Sequence, residues 1–247
     1  MSIPFRSKAS LVADAWLIQL WAFALPASAG SFSLAPVRID FDGPQRTAVI
    51  TVHNNDDTPM IIQSTALAWT QSAGAEQTQE TQDLLVAPPV FTVAPHGEQI
   101  LRVALRVTRD AMHEREYRLL LAEVPSSAAK DFNGLRMALR TSIPVFVAPT
   151  TSAHAQLQWH AARRTDGTVA LSATNSGNAH LQVTDFDVSF GSPAMSVAAA
   201  ASHYVLPGST MTWVVTPPPG ASKDAAISLR GNSDVGAFQA EVTSSDR

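Results

Sequence analysis

From residue 31 onward the chain is written in short alternating segments cut by turn signals, and helical spacing is sustained nowhere. "FSLAPVRIDFDG" ends in a Gly turn. "RTAVITVHN" runs into the Asx-rich turn from Asn54 to Pro59, and "MIIQSTALAW" ends at Trp69. "LLVAPPVFTVAPHGEQILRVALRV" reads as two strands split by the turn at Pro95–Gly97, and "REYRLLLAEVP" and "GLRMALRTSIPVFV" follow. Residues 71–84 are polar and Gln-rich, and read as a mobile excursion or a weak strand pair. About seven strands at regular turn spacing predict a β-sandwich over this half.

The same grammar resumes after "APTTSAHA", residues 148–155, a small, polar stretch that marks a domain boundary. "AQLQWHAARR", "TVALSATNSG", "HLQVTDFDVSFG", "ASHYVLPGSTMTWVVTPPP", "DAAISLRG" and "AFQAEVTSS" read as a second sandwich. Ahead of both, Arg6 and Lys8 precede an apolar run from Ala15 to Leu25, then "ASA" with Ala27 and Ala29. That is the pattern of a secretory signal peptide cleaved after Ala29. No later run of about 18 apolar residues occurs, so no direct membrane insertion is expected. The expected organisation is a signal peptide (1–29), an N-terminal immunoglobulin-like domain (30–149) and a C-terminal one (150–247). The fold class is all-β.

Little points to covalent chemistry. There is no cysteine, which excludes a thiolate nucleophile and a disulfide framework. A formal net charge of −4 argues against a dominant nucleic-acid surface. Phosphate-loop, dinucleotide and nucleophile-elbow motifs are absent. The seven histidines are scattered; His154 and His160 straddle the linker without forming a ligand pair. Asp40 and Asp42 lack the remainder of a calcium loop. No cofactor and no metal is expected.

One stretch asks for more. In "GLRMALRTSIPVFV", Leu135, Met137, Leu139, Thr141, Ile143, Val145 and Val147 share one face, and Arg136, Ala138, Arg140, Ser142, Pro144 and Phe146 the other. The strand closes its domain, and Pro144 has no N–H to donate, which suits an edge. A long apolar edge strand recruits other chains. It can equally be lent to a partner that lacks a strand.

On these segments, taken in order, the chain resembles the periplasmic chaperones of the chaperone–usher pilus pathway: "FSLAPVRIDFDG", "VHNNDDTPMIIQSTALAW", "APPVFTVAPHGEQILRV", "REYRLLLAEVP" and "GLRMALRTSIPVFVAP". The resemblance implies two immunoglobulin-like domains set as an L or boomerang, and residence in the periplasm. It implies capture of pilus or fimbrial subunits by a donated strand, delivery to an outer-membrane usher, and self-association through the same edge. It implies no enzyme activity. The donated row would be Leu135, Met137 and Leu139, extended by Thr141, with Ile143 at the anchoring end. Arg38 matches the family's cleft arginine, which holds the subunit's C-terminal carboxylate.

Two positions depart from the family pattern. Pro144 stands where a lysine is usual, so Arg140, on the same face, is the candidate substitute. Ala148 stands where an arginine commonly follows the aromatic pair, so domain coupling is expected to differ. Both departures suggest a divergent branch, archaic or alternative. The rival reading, a two-domain fibre subunit or surface adhesin, would call for an N-terminal donor extension. The mature chain instead begins with its first strand at Phe32.

Overall fold

The computed structural model describes residues 31–125, 137–191, 194–222 and 224–246. The proposed signal peptide and Leu135 lie outside these. The described residues form seventeen strands, and no helix among them is long and apolar enough to cross a membrane.

The first domain is a sandwich of two sheets. One has the order β1 (Phe32–Ala35), β3 (Thr47–Asn54), β8 (Glu98–Leu105), β6 (Leu84–Ala87). The other has the order β2 (Ile39–Phe41), β10 (Arg140–Val147), β9 (Arg115–Glu123), β4 (Met60–Ser72), β5 (Ala75–Glu80), with β7 (Val90–Val93) also on β4. Alternation supplies the core: Ile50, Val52, Leu101 and Val103 from the first sheet face Ile62, Leu119, Leu121, Ile143 and Val145 from the second. Each such side chain contributes about 1.5–3 kcal/mol on burial.

Prolines decide where strands change sheet. The first predicted strand is divided at 36–38, so that β1 pairs antiparallel with β3 while β2 pairs parallel with β10. The segment read as two strands is three, because Pro88–Pro89 part β6 from β7 and send them to opposite sheets. Proline lacks the N–H a continuous ladder needs, so a ladder stops there.

The Gln-rich stretch is a paired strand, β5, set against Leu67–Ser72 of β4. Ala73 and Gly74 between them both have positive φ (52° and 77°), the geometry a two-residue hairpin turn requires.

The second domain comprises β11 (Leu157–Arg163), β12 (Val169–Asn175), β13 (Leu181–Phe190), β14 (Met195–Val205), β15 (Thr210–Val215), β16 (Ile227–Ser233) and β17 (Gly236–Asp246). β17 joins its two layers: Gly236–Val242 pairs antiparallel with β16, then Thr243–Asp246 pairs parallel with β11. Val183, Phe186, Val188, Phe190, Leu171 and Trp213 fill this core.

Each domain also holds one fully buried asparagine at the end of an alternating strand. The Asn54 amide donates to the carbonyls of Thr58, Val93 and Ala94. The Asn175 amide donates to those of Ala179 and Val205. Both carboxamide oxygens accept turn N–H groups, from Asp56 and from Gly177. Turn composition revealed both loops; only packing shows that the same device ties each one down.

Candidate functional site: a half-open strand beside the domain joint

β10 is flanked on both sides only along its second half. β9 covers one side from Arg140 to Val147, while β2 covers the other at Val145–Val147 alone. Leu139 and Glu123 exchange contacts toward β9, Glu123 N–H donating to the Leu139 carbonyl at 2.8 Å. Ala148 N–H donates to the Phe41 carbonyl on the β2 side. Backbone groups alternate along a strand, so Arg140, Ser142 and Pro144 aim theirs at the uncovered edge. Pro144 therefore deprives that edge of one donor and leaves the β9 ladder intact.

The expected site residues divide along this strand. Ile143 is 1% exposed and belongs to the domain's own core, beside Val145 and Val147. Its side chain is therefore an internal anchor. Thr141 is half-buried, and Arg140 is exposed. The alternation predicted a strand from Gly134; residues 134–136 lie outside the described residues, and among the described ones strand structure begins at Arg140, so Met137 and Leu139 precede β10. Met137 is 53% exposed and Leu139 half-buried. Ile61, Val90 and Val124 add further exposed apolar surface at this end of the sheet. Glu123 N–H bonds the Leu139 carbonyl and Val124 N–H the Ile61 carbonyl, both at 2.8 Å, so the patch adjoins the start of β10.

Arg38 immediately precedes β2, and the parallel register sets it alongside Pro144. Its Nε donates to both Asp40 oxygens at 2.9 Å, and its Nη1 to Asp234 Oδ2 at 2.8 Å. Asp40 thus serves the guanidinium. Arg140 does not join this cluster: it lies four residue steps along the strand from Pro144, roughly 13 Å. The residue across from Pro144 on β9 is Arg118, whose guanidinium lies 3.6 Å from the Trp69 ring centroid and pairs with Glu76 at 3.1 Å.

The outward face of β10 is not solvent-exposed at its end. Phe146 is 1% exposed and packs with Trp69, Tyr204 and Leu206, an aromatic cluster between the domains. The His180 ring stacks on Phe146, and its Nδ1 donates to Glu114 Oε1 at 2.7 Å. Gln71 clips the second domain's backbone, donating to the Tyr204 carbonyl at 2.8 Å and accepting from Leu206 N–H at 3.0 Å. Arg109 donates to the Ala148 carbonyl at 2.8 Å, holding the linker where the family's arginine is missing. A cleft of about 440 Å³ opens beside this joint, lined by Arg38, Asp40, Phe146, His180 and Asp234 among others.

The joint is rich in ionisable groups. Burial works against the Asp234 carboxylate, but the nearby His180 and the hydrogen-bonded Arg38 outweigh it and hold its pKa well below the usual range. Burial also opposes a charged His180, yet Asp234 and Glu114 raise its pKa. Glu116, facing Phe146 in register, is pushed up to about 8 by burial first and by the nearby Glu114 charge second. No motif marks His180, Glu114 or Asp234. The one available hint was Phe146, a large apolar side chain on the face of β10 that does not meet its own core.

Residues 31–153 match the family described as "Pili and flagellar-assembly chaperone, PapD N-terminal domain". The probable fimbrial chaperone LpfB of Escherichia coli O157:H7 is 31% identical over 127 residues, 49% of this chain and 51% of that protein. The chaperone protein FaeE of Escherichia coli is 30% identical over 122 residues, 48% of this chain and 44% of that one. The match thus spans about half the length of these curated relatives. Solved structures extend the likeness in fold to both domains. The CsuC–CsuE chaperone–tip subunit pre-assembly complex from archaic Csu pili of Acinetobacter baumannii contains a chain matched with a TM-score of 0.65 at 20% identity, covering 87% of this chain and 99% of that one. The Escherichia coli chaperone DraB gives 0.60 at 18% identity, covering 87% and 98%.

Proposed function

This chain belongs, through its first domain, to the family of pilus- and flagellar-assembly chaperones, and on that premise we propose that it is a periplasmic chaperone that captures pilus subunits by lending them a strand. The observation that carries the reading is the half-open edge of β10. Its second half is fixed between β2 and β9, and its first half offers free backbone groups beside exposed apolar side chains.

A subunit lacking its last strand exposes an apolar groove, which favours aggregation. Main-chain pairing with Arg140–Pro144 supplies affinity with little demand on sequence, and Met137, Leu139 and Leu135 fill successive pockets. Each filled pocket contributes about 1–3 kcal/mol. The anchored half supplies rigidity, so less ordering is needed on binding. Arg38, in the cleft beside the strand, receives the subunit's terminal carboxylate and sets the register. The loaded chaperone then delivers its subunit to an outer-membrane usher. Nothing in this cycle needs a cofactor or a covalent step.

Co-expression with the fibre subunits encoded beside its gene, followed by periplasmic purification, tests the proposal. A one-to-one complex is expected, weakened by Leu139→Asp and by Arg38→Ala. Capture that survives both substitutions intact overturns strand donation.

A further inference from the structure

Asp234 occupies the turn between β16 and β17 and reaches back to the first domain. Its Oδ1 accepts from Gln182 N–H at 2.9 Å. Its Oδ2 lies between two cations, 2.8 Å from Arg38 Nη1 and 3.6 Å from His180 Nε2. The His180 side chain is only 7% exposed, and its Nε2 is buried without a hydrogen-bond partner. A buried donor left unpaired is costly, so Nε2 is a vacant docking point for a carboxylate oxygen less than 1 Å beyond bonding distance.

We propose that Asp234 is a two-position carboxylate, which occupies Arg38 in the free protein and is displaced onto His180 when a partner chain's free C-terminal carboxylate takes its place. The inference rests on the reading of Arg38 as the carboxylate anchor, and it identifies what that anchor must exchange. Asp40 is the poorer candidate for displacement, because both of its oxygens bind Arg38 Nε from only two residues along the chain. Asp234 comes from the other domain and has a second partner waiting.

The groups facing His180 support the exchange. Glu114, just before β9, fixes Nδ1, Arg38 and Asp40 flank Asp234, Glu116 lies on β9, and Phe146 covers the ring. Burial opposes the imidazolium, but the hydrogen bond to Glu114 and the Asp234 carboxylate 3.6 Å from Nε2 favour it, and the imidazolium carries at Nε2 the proton that a second acceptor needs. When a new carboxylate enters, Asp234 moves to that proton, and neither Arg38 nor Asp234 is left unpaired. Asp234 also excludes adventitious anions, since any ligand must outcompete a carboxylate already in place.

N-acetylglycine, a peptide-like terminal carboxylate, and N-acetylglycinamide as control are titrated into the full mature chain while the His180 pKa is followed by NMR. N-acetylglycine is expected to raise the His180 pKa, and the amide to leave it unmoved. Asp234→Asn is expected to bind N-acetylglycine several-fold more tightly and to lose the pKa response. Without any probe, Arg38→Ala is expected to raise the His180 pKa, with at least half of that rise lost in the Arg38→Ala/Asp234→Asn double variant. An unchanged affinity in Asp234→Asn, or a rise that persists undiminished in the double variant, overturns the two-position carboxylate. N-acetylglycine binding equally well to Arg38→Ala would instead sink the anchor reading. The probe-free pKa comparison would still decide whether Asp234 moves.

Discussion

The imidazole of His180 lies flat on the ring of Phe146, with 3.5 Å between centroids and 10° between planes. Phe146 is part of β10, the strand proposed for donation, and His180 leads into β13 of the second domain. The contact ties the anchored half of that strand to the neighbouring domain. Replacing His180 with Ala removes the stack together with the Nδ1 hydrogen bond and leaves the buried Glu114 carboxylate only the backbone N–H of residue 180. A loss of about 3–5 kcal/mol is expected, read by denaturant unfolding.

Stability should fall as pH rises above neutrality. His180 has a raised pKa in the folded state, so its contribution is fully present below its unfolded value of about 6.5 and is lost as pH passes the folded value. Glu116 acts in the same direction: its folded pKa of about 8 exceeds the ordinary carboxyl value of 4.5, so its contribution is fully present below 4.5 and is lost as pH rises to about 8. Glu116→Gln should flatten that decline in thermal melts from pH 5 to 9. A slope equal to that of the parent protein would show that Glu116 is not the group responsible.

Gln71 should behave as a joint residue rather than a surface one. Its amide makes two hydrogen bonds to the second domain's backbone, at Tyr204 and Leu206. Gln71→Ala should cost about 1–3 kcal/mol and separate the unfolding of the two domains into distinct transitions. Differential scanning calorimetry resolves one peak from two.

Restoring a lysine at Pro144 should not restore the family's cleft. Pro144 is buried, with Arg118 opposite it and Arg38 alongside. Like charges placed directly across strands are destabilising. Pro144→Lys is expected to lower the melting temperature, and a melting temperature at or above the parent's would refute this account of the departure.

The two buried asparagines give a domain-resolved check. Asn54→Ala should unfold the first sandwich preferentially and Asn175→Ala the second, because each removes a buried amide that donates to two or three loop and strand-end carbonyls. Hydrogen exchange would report which domain lost protection.

Much of this molecule follows from local chemistry. Alternation placed Ile143, Val145 and Val147 in a core because side chains on a strand must face opposite ways, and turn residues set the strand count because they interrupt pairing. The edge character of β10 was also legible, since Pro144 cannot donate. Among the described residues, where the strand starts was not legible: alternation continues through 137–139, but ladder pairing begins only where a neighbouring strand supplies partners.

The joint was settled by tertiary structure alone. Glu114, His180 and Asp234 are 66 and 54 residues apart in sequence order and carry no motif. They meet because two independently buried cores bring the end of β10 against the approach to β13 and the β16–β17 turn. The same packing decided that Arg38 is held by Asp40 and Asp234 while Arg140 stays apart. Charge type can be read from a sequence, but which charges pair depends on distances that only the folded chain fixes.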